Sequence, residues 1–201
     1  MDTQIYLVRH GAIDNGPPKC FIGQTDLPLN NEGKEQAWQL KAFFRNITLS
    51  RIVTSRLKRT IQTAEIITGL PGKNFDSLPE LNEIHLGAWE GCPIQKIQET
   101  QPELYAQRGK NFAGFRPPGG ESFQDLADRC WPSFQALVQQ NTFPLLIVAH
   151  AGVNRVLLAG MQDISLQEIF TIKQPYCMVN SISIVKGKYT IEQLEVCLNK
   201  G

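Results

Sequence analysis

The chain has 201 residues, of which 42% are hydrophobic and 19% are charged, and these values exclude a disordered or fibrous protein. The length predicts a single domain, residues 1–201, that buries enough surface to fold without a disulfide or a metal ion. Because 20 basic residues stand against 19 acidic ones, the net charge of +1 argues against a broad nucleic-acid or anionic-membrane surface, but it leaves room for a small cationic pocket.

Four segments with strand or helix patterns occupy the first 70 residues or so. Strands are indicated where β-branched and aromatic residues cluster, and helices where apolar residues recur three or four positions apart. Asn30 is a suitable N-cap, and a stretch rich in glycine, proline, asparagine and aspartate precedes it. The patterns predict, in chain order, a strand at 3–8, a helix at about 31–45, a short strand at 52–53 and a helix that breaks at 69.

The rest of the chain predicts an insertion, a long helix, a buried strand and a final hairpin. Residues 85–120 are irregular and rich in aromatic side chains, and we interpret them as a partly helical insertion. Ser122 and Asp125 form a capping-box pattern at the start of a helix that Pro132 should bend. The uninterrupted apolar run 145–149 suits a strand covered on both faces. A short helix at 153–159 and a hairpin built from 181–186 and 189–196 follow.

This alternation of strands and helices predicts an α/β fold. Covered strands that alternate with helices pack as a three-layer α/β/α sandwich around a mainly parallel sheet, and the final hairpin adds an antiparallel edge strand. We place the insertion, 85–120, over the carboxyl ends of the strands, where open α/β sheets bind their ligands. Segments at that end carry specificity, so the insertion is expected to lie on the substrate side.

Two of the three histidines directly follow predicted strands. His10 follows the first strand and His150 follows the strand at 145–149, and small residues come after each of them. The carboxyl ends of parallel strands meet along one crevice, so the two imidazoles are expected to face each other there. Small residues let backbone N–H groups approach a ligand. The pair therefore predicts one shared binding site.

Two arginines are placed to make this site cationic. Arg9 precedes His10, and Arg59 lies at the start of the second helix, where exposed N–H groups and the helix dipole favour an anion. The planar guanidinium group binds phosphate oxygens in pairs. Two strand-end histidines with two arginines together predict a phosphate clamp.

The cysteines and the opening residues indicate a cytoplasmic location. The five cysteines are odd in number, widely spaced and without a C-x-x-C pair, which favours free thiols in a reducing compartment. With three histidines and no zinc-finger spacing, we expect no metal site. The N-terminus has no basic region, and no stretch approaches the ~20 apolar residues that a membrane span needs. We therefore expect no membrane and no nucleic acid among the partners.

The chain resembles the histidine phosphatase superfamily, which includes phosphoglycerate mutases and many phosphatases. An ordered set of motifs over residues 4–160 carries the resemblance: Leu7-Val8-Arg9-His10-Gly11, Gly23-Gln24-Thr25-Asp26-Leu27-Pro28-Leu29, Ser55-Arg56-Leu57-Lys58-Arg59 with Gln62-Thr63-Ala64, Leu81-Asn82-Glu83 with Gly87-Ala88-Trp89-Glu90-Gly91, Pro118-Gly119-Gly120-Glu121-Ser122 and Val148-Ala149-His150-Ala151-Gly152. The resemblance implies an enzyme, a phosphoric monoester hydrolase, that uses no metal and no cofactor. Its expected partner is a small phosphorylated metabolite, and the expected state is a monomer or homodimer.

The resemblance implies a role for each residue of the clamp. His10 attacks phosphorus and becomes a phosphohistidine, while Arg9, Arg59 and His150 hold the phosphate oxygens. Glu83 protonates the leaving alkoxide and then takes a proton from the water that hydrolyses the intermediate. Without the motif, Glu83 would be an ordinary surface glutamate.

The resemblance also implies phosphate binding outside the clamp. The positions concerned are Asn15, Gly23, Gln24 and Ala151. Segment 12–16 departs from the family pattern, because Ile13 cannot donate a side-chain hydrogen bond and Asn15 is offset from the usual asparagine. We expect His85 to lie at the rim or surface, and Glu90 and Glu121 to bind backbone or arginine groups.

Three functions stay open at this point. The motifs most resemble the α-ribazole phosphatase branch, which implies hydrolysis of α-ribazole 5′-phosphate in cobalamin synthesis. The first alternative is a cofactor-dependent phosphoglycerate mutase, which the short chain disfavours. The second is a non-catalytic module that binds a phosphorylated ligand on the same fold, which the presence of His10, Glu83 and His150 disfavours.

Overall fold

A mixed sheet forms the centre of the computed structural model, which describes residues 3–196. Within that range the strands are β1 (Gln4–Arg9), β2 (Arg51–Thr54), β3 (Asp76–Ser77), β4 (Leu145–Ala149), β5 (Val179–Val185) and β6 (Lys188–Leu194). They lie in the order β3-β2-β4-β1-β5-β6. The first four strands pair in parallel, and β5 and β6 add an antiparallel edge. The predicted mainly parallel sheet with an antiparallel edge is confirmed.

Helices cover both faces of the sheet and the carboxyl ends of its strands. The α-helices in the described range are α1 (Asn31–Phe44), α2 (Lys58–Thr68), α3 (Ile94–Thr100), α4 (Pro102–Lys110), α5 (Phe123–Gln139) and α6 (Ala151–Gln162). Short 3-10 helices lie at Gly72–Asn74, Pro79–Leu81, Gly87–Trp89 and Leu166–Thr171. Within residues 3–196, no helix combines the length and apolar character that a membrane crossing requires.

The central strands bury different side chains on their two faces. On β4, Leu145 and Ile147 pack in a cluster with α5 and α6, whereas Leu146 and Val148 pack with α1 and α2. All four side chains are fully buried, as expected for a strand covered on both sides. The helices therefore form one layer on each side of the sheet, which confirms the predicted three-layer α/β/α sandwich.

The pairing of β1 with β4 positions the candidate site. The two strands are adjacent and parallel, and Arg9 at the end of β1 pairs with Ala149 at the end of β4. The next residue on each strand is a histidine, so His10 and His150 leave the sheet at the same level. Their proximity thus follows from strand register.

The helix ends follow their local sequence signals. The side chain of Asn30 accepts a hydrogen bond from the backbone N–H of Gly33 at 2.8 Å and caps α1. Ser122 and Asp125 form the expected capping box at the start of α5, which continues through Pro132 as one helix. Gly69 ends α2 with a φ of 74°, a left-handed conformation that glycine adopts without strain.

Two elements differ from the sequence-based expectation. Strand β3 was not predicted, because it has only two residues, both exposed, and so shows no apolar alternation. Helix α6 begins at Ala151, two residues before the predicted start, with the extended residue His150 as its N-cap. The small residues of that first turn contribute no apolar periodicity. The early start brings the N-terminus of α6 to the carboxyl end of β4.

Two glycines touch where the loop after His10 crosses the start of α1. A Cβ built on Gly33 would lie 2.1 Å from the carbonyl oxygen of Ala12, and one built on Gly11 would lie 2.4 Å from that of Gly33. Both neighbouring atoms belong to the backbone and cannot move aside as the end of a flexible side chain can. This contact holds the loop after His10 against the helix.

Gly33→Ala is expected to destabilise the protein by about 1–3 kcal/mol, because the added methyl group overpacks this contact. The thermal midpoint, followed by circular dichroism, should fall by about 2–4 °C for each kcal/mol. Gly109→Ala is the matched control, since Gly109 is also helical but a Cβ there meets no atom within 4 Å. Both variants gain helix propensity, so equal midpoints would contradict the importance of the contact.

Candidate active site

A cleft of about 210 Å³ opens at the carboxyl ends of β1 and β4. The ring centroids of His10 and His150 lie 5.1 Å apart there. Arg9, Arg59 and Glu83 line the cleft together with His10. The structure thus brings together the five residues that sequence pattern and resemblance single out.

His10 is buried with a defined tautomer. Its Nδ1 lies 2.7 Å from the carbonyl oxygen of Gly11. A carbonyl oxygen only accepts, so Nδ1 carries the proton and Nε2 keeps its lone pair. Burial lowers the pKa of His10 well below 6.5, and the cations Arg9 and Arg59 lower it further. The imidazole is therefore neutral at pH 7, which is the form that attacks an electrophile.

Arg9 is a partly buried cation held by a carbonyl oxygen and an aromatic ring. Its Nη1 donates to the carbonyl oxygen of Gln174, and its guanidinium carbon lies 3.9 Å from the ring centroid of Tyr176. The Nε group is buried and has no hydrogen-bond partner among the described residues. A buried donor without a partner is costly unless a ligand satisfies it. Arg9 is therefore poised for an anion.

Arg59 lies in the first turn of α2 and is fully buried. Its Nη2 donates to the carbonyl oxygen of Gly23 at 2.6 Å, and its Nη1 donates to that of Thr25 at 2.7 Å. Its Nε lies 3.2 Å from Nδ1 of His150. These contacts use three of the five guanidinium N–H groups and leave two for a ligand in the cleft.

Both ring nitrogens of His150 have protein partners. Nε2 lies 2.8 Å from the hydroxyl of Ser55, and Nδ1 accepts from Arg59. To donate to a phosphate oxygen, as predicted, the ring has to exchange Arg59 for the phosphate and carry its proton on Nδ1. The Ser55 hydroxyl permits both tautomers, because it can donate or accept. Burial, with Arg59, His10 and Arg9, lowers the pKa of His150 well below 6.5.

The carboxyl group of Glu83 is fixed by backbone N–H groups. Oε1 accepts from Ile84 at 2.9 Å, and Oε2 accepts from Gly152 in the first turn of α6 at 3.0 Å. A Cβ on Gly152 would lie 2.3 Å from Oε1, so only glycine allows this approach. Glu83 is 8% exposed and lines the cleft. It is thus not the surface glutamate that its local sequence suggests.

Gly23 and Gln24 serve the site indirectly. Their backbone N–H groups both donate to the carboxylate of Glu90, at 3.1 and 2.7 Å, and the Gln24 side chain donates to the carbonyl oxygen of Glu83. These contacts occupy both backbone N–H groups and one N–H of the Gln24 side chain, and direct phosphate binding by Gly23 and Gln24 stays a prediction. Gly23 also presents its carbonyl oxygen to Arg59, and Gln24 supports Glu83.

Glu90 organises the segment 23–25. Burial raises its pKa, but hydrogen bonds from the Thr25 hydroxyl and from the backbone N–H groups of Gln24, Leu86 and Gly23 outweigh burial and lower it. Glu90 is therefore a structural carboxylate, as predicted.

Asn15 and Ala151 line the cleft, where Asn15 has a side-chain amide donor and Ala151 has a backbone N–H donor. The Asn15 amide closes a loop on Cys20 through two hydrogen bonds, of 3.1 and 3.0 Å, so one N–H of its side chain stays open to a ligand. Ala151 is the first residue of α6, where backbone N–H groups have no intrahelical partner. Phosphate binding by both residues stays a prediction.

Residues at the rim match their expected roles. His85 is exposed, and its backbone N–H donates to Glu121 at 2.9 Å. Glu121 also forms an ion pair of 2.8 Å with Arg129, which in turn donates to the carbonyl oxygen of Glu83 at 3.0 Å. This chain of contacts supports the segment that carries Glu83.

Sequence reasoning missed Ser55 as a partner of His150, and it missed Tyr176, Arg108 and Arg155 altogether. Tyr176 lies after the last predicted helix, in a segment without periodicity. Arg108 and Arg155 line the cleft from α4 and α6. Their positions on helices look like those of ordinary surface arginines, so the sequence offers no signal that separates them. Ser55 is the first residue of the motif Ser55-Arg56-Leu57-Lys58-Arg59, and this was the one signal that was available.

The assembled site combines a neutral imidazole, two cations and a fixed carboxyl group. The imidazole can attack an electrophilic centre, and the arginines can offset charge on the oxygens of that centre. The carboxyl group of Glu83 lies in the same cleft and can donate or accept a proton there. In the described part of the chain, no three His, Cys, Asp or Glu side chains come together as metal ligands.

Comparison with known proteins gives a family match over nearly the whole chain. A model described as the histidine phosphatase superfamily (branch 1) matches residues 5–196. The 6-phosphofructo-2-kinase/fructose-2,6-bisphosphatase 1 of Mus musculus is 35% identical over 192 residues, which are 94% of this chain and 39% of that protein. This chain thus spans about two fifths of the length of such relatives.

Solved structures share the fold over most of both chains. The α-ribazole phosphatase from Shigella flexneri is 25% identical with a TM-score of 0.87, and the alignment covers 96% of each chain. Bacillus stearothermophilus YhfR is 28% identical with a TM-score of 0.85, and the alignment covers 98% of each chain.

The two buried histidines should make stability depend on pH. Their pKa values lie lower in the folded state than the unfolded value of about 6.5, so the unfolded chain binds more protons below that pH. The free energy of unfolding should fall as pH falls from 6.5 towards the folded pKa values, by up to about 1.4 kcal/mol per pH unit for each histidine.

Urea denaturation between pH 8 and 5.5 measures this dependence. His10→Asn should flatten it, because this variant removes one of the two groups whose pKa is lowered by folding. A stability that stays constant through this pH range in the unmodified protein would contradict two neutral buried imidazoles.

Proposed function

The chain belongs to the histidine phosphatase superfamily, as its sequence predicts, and on this premise we propose that it hydrolyses a small phosphomonoester through a phosphohistidine at His10. The observation that carries the proposal is a buried, neutral imidazole in a cleft lined by Arg9 and Arg59. A neutral ring nitrogen can attack phosphorus, and the guanidinium groups can offset the charge on the phosphoryl oxygens.

In the first step, Nε2 of His10 forms a bond to phosphorus while the bond from phosphorus to the ester oxygen breaks. The leaving alkoxide takes a proton from Glu83, which enters the step as a carboxylic acid and leaves it as a carboxylate. The Nδ1–H of His10 stays hydrogen-bonded to Gly11, and this offsets the charge that the phosphorylated ring acquires. The products are an alcohol and a phosphohistidine.

In the second step, water attacks phosphorus and the bond to Nε2 breaks. The Glu83 carboxylate takes a proton from this water, which restores the carboxylic acid for the next cycle. Inorganic phosphate leaves, and His10 regains its lone pair. The fixed carboxyl position suits both proton transfers, because the backbone N–H groups of Ile84 and Gly152 hold it in one place.

The positive charge in this proposal comes from arginine. Arg9 and Arg59 together carry two charges, which match those of a phosphomonoester dianion. Among the described residues, a buried N–H of Arg9 has no partner, and two N–H groups of Arg59 are not used by its protein contacts. The proposal therefore includes neither a metal ion nor an organic cofactor.

We propose α-ribazole 5′-phosphate, an intermediate of cobalamin synthesis, as the substrate. The support is similarity to the α-ribazole phosphatase from Shigella flexneri, which covers nearly the whole chain. The fructose-2,6-bisphosphatase relative has higher identity, but its name also describes a kinase activity and this chain spans about two fifths of it. Initial rates of hydrolysis measured with α-ribazole 5′-phosphate and with fructose 2,6-bisphosphate distinguish these two substrates.

Three further features belong to the same proposal. Residues 1–201 form one histidine phosphatase domain, in which 85–120 build the substrate-side wall. The protein acts as a monomer or homodimer in the cytoplasm. Neither a membrane nor a nucleic acid takes part in its function.

Incubation with a phosphomonoester should place phosphate on His10. The trapped phosphate should be labile to acid and stable to base, and mass spectrometry should locate it on that residue. His10→Ala should lose both the trapped phosphate and turnover, because no other imidazole in the cleft has a nitrogen without a protein partner. His85→Ala is the control and should retain both. Turnover at the unmodified rate in His10→Ala would refute the mechanism.

Glu83→Gln should slow hydrolysis of an alkyl phosphomonoester by about 10²- to 10⁴-fold, because the alkoxide then leaves without a proton. Phosphorylation by p-nitrophenyl phosphate should slow far less, since p-nitrophenolate is stable as an anion. Rapid-mixing measurement of p-nitrophenolate release separates this first step from hydrolysis of the intermediate. Equal losses with the two esters would show that Glu83 is not the acid.

A further inference from the structure

Half of the chain's phenylalanines line the cleft. The chain has 10 phenylalanines, and those at the cleft are Phe21, Phe112, Phe115, Phe123 and Phe170. The phosphate clamp accounts for none of them, because its contacts are made by arginine, histidine and backbone groups. The part of the cleft beyond the clamp is therefore an aromatic surface.

Three of these rings form a continuous wall. Phe170 packs edge-on against Phe112 with centroids 4.8 Å apart, and against Phe123 with centroids 5.6 Å apart. Phe170 nevertheless stays 42% exposed. A large apolar side chain that remains exposed at the mouth of a polar site indicates a binding surface rather than a core.

Arg108 extends this wall with a planar cation. Its guanidinium carbon lies 4.9 Å from the ring centroid of Phe112, 5.6 Å from that of Phe21 and 5.9 Å from that of Phe170. Within residues 3–196 the Arg108 side chain forms no ion pair and no hydrogen bond, so these rings are the partners of its guanidinium group that the structure shows. Burial lowers the pKa of Arg108. A guanidinium plane in such surroundings offers a stacking face to a further ring.

We propose that this aromatic wall (Phe112, Phe123, Phe170 and Arg108) binds an aromatic ring system carried by the substrate, so that the enzyme prefers phosphomonoesters whose alcohol part bears a planar heterocycle. The inference rests on the proposed phosphatase function, because it concerns the part of the substrate that the clamp does not hold. It goes beyond that function by assigning four residues to recognition of the ring.

A second anion is the competing occupant of this surface, because Arg108 and Arg155 carry positive charge there. Arg155 already donates its Nε to the carbonyl oxygen of Ile172 and lies 5.1 Å from the Phe170 ring. The three adjoining phenylalanine rings favour an aromatic ring over an anion, because a ring needs only the faces that the wall presents, whereas an anion would be desolvated against them. The test below therefore includes a pair of esters that differs by a carboxylate.

Two matched pairs of phosphate esters test the proposal. Adenosine 5′-monophosphate and ribose 5-phosphate both carry the phosphate on the primary 5-oxygen of ribose, and they differ by the aromatic base. 3-Phosphoglycerate and glycerol 3-phosphate differ by a carboxylate. We expect kcat/KM to be on the order of 10- to 100-fold higher with the base than without it, as for a stacked nucleobase, and nearly equal within the second pair.

Variants of the wall show whether these rings cause the preference. Phe112→Leu and Phe170→Leu should each lower the base-dependent ratio severalfold, whereas Phe112→Tyr should restore it because a ring face is kept. Phe43→Leu is the control for loss of a ring, since Phe43 lies on α1 and does not line the cleft. Its ratio should equal that of the unmodified protein.

Each outcome decides one question. A base-dependent ratio near one, or a larger effect of the carboxylate than of the base, overturns the aromatic site. If neither these four esters nor α-ribazole 5′-phosphate is hydrolysed, the proposed phosphatase function fails instead. Calorimetric titration with adenosine 5′-monophosphate and ribose 5-phosphate then still tests the wall, because binding of the ring does not need turnover. The site is supported if adenosine 5′-monophosphate binds more tightly than ribose 5-phosphate and if Phe112→Leu reduces this difference in affinity.

Discussion

Two guanidinium groups, that of Arg59 fully buried and that of Arg9 partly buried, lie beside two buried imidazoles, and this grouping is the electrostatic constraint on which the site depends. Burial lowers the pKa of His10, and Arg9 and Arg59 lower it further. A protonated His10 would place three positive charges together where water screens them poorly. The two arginines therefore add to burial in keeping the ring nitrogen unprotonated. In the proposed mechanism, one arrangement of charge supplies both the phosphate-binding site and the nucleophile.

The fold holds these arginines with carbonyl oxygens, which satisfy N–H groups without cancelling the positive charge. Arg59 donates to the carbonyl oxygens of Gly23 and Thr25, and Arg9 donates to that of Gln174. The carboxylate of Glu90 lies one step further out, where it binds the backbone N–H groups of the segment that contains Gly23 and Thr25. Among the described residues no carboxylate forms a direct ion pair with Arg9 or Arg59, so both guanidinium groups stay available to a ligand.

Sequence patterns predicted the fold and the pairing of the two histidines, because both depend on local signals. Strand ends and strand order place His10 and His150 together once the sheet is recognised as parallel. Glu83 was predicted as a site residue only through its family motif, since its burial depends on Gly152, which lies 69 positions later. No local pattern reports contacts between segments that are far apart in the chain. Tyr176 was missed for the same reason, because its role depends on its contact with Arg9.

The site carries two costs to the stability of the fold. Within residues 3–196 the buried Nε group of Arg9 has no hydrogen-bond partner, and the buried neutral imidazoles lower the free energy of unfolding as pH falls. The backbones of Gly11 and Gly33 touch beside the site and hold the loop after His10 against α1. In the proposed mechanism, a phosphate that accepts hydrogen bonds from the arginines binds only the folded chain, so its binding free energy adds to stability. The unmet hydrogen-bonding capacity of the arginines thus both lowers stability and provides affinity for phosphate.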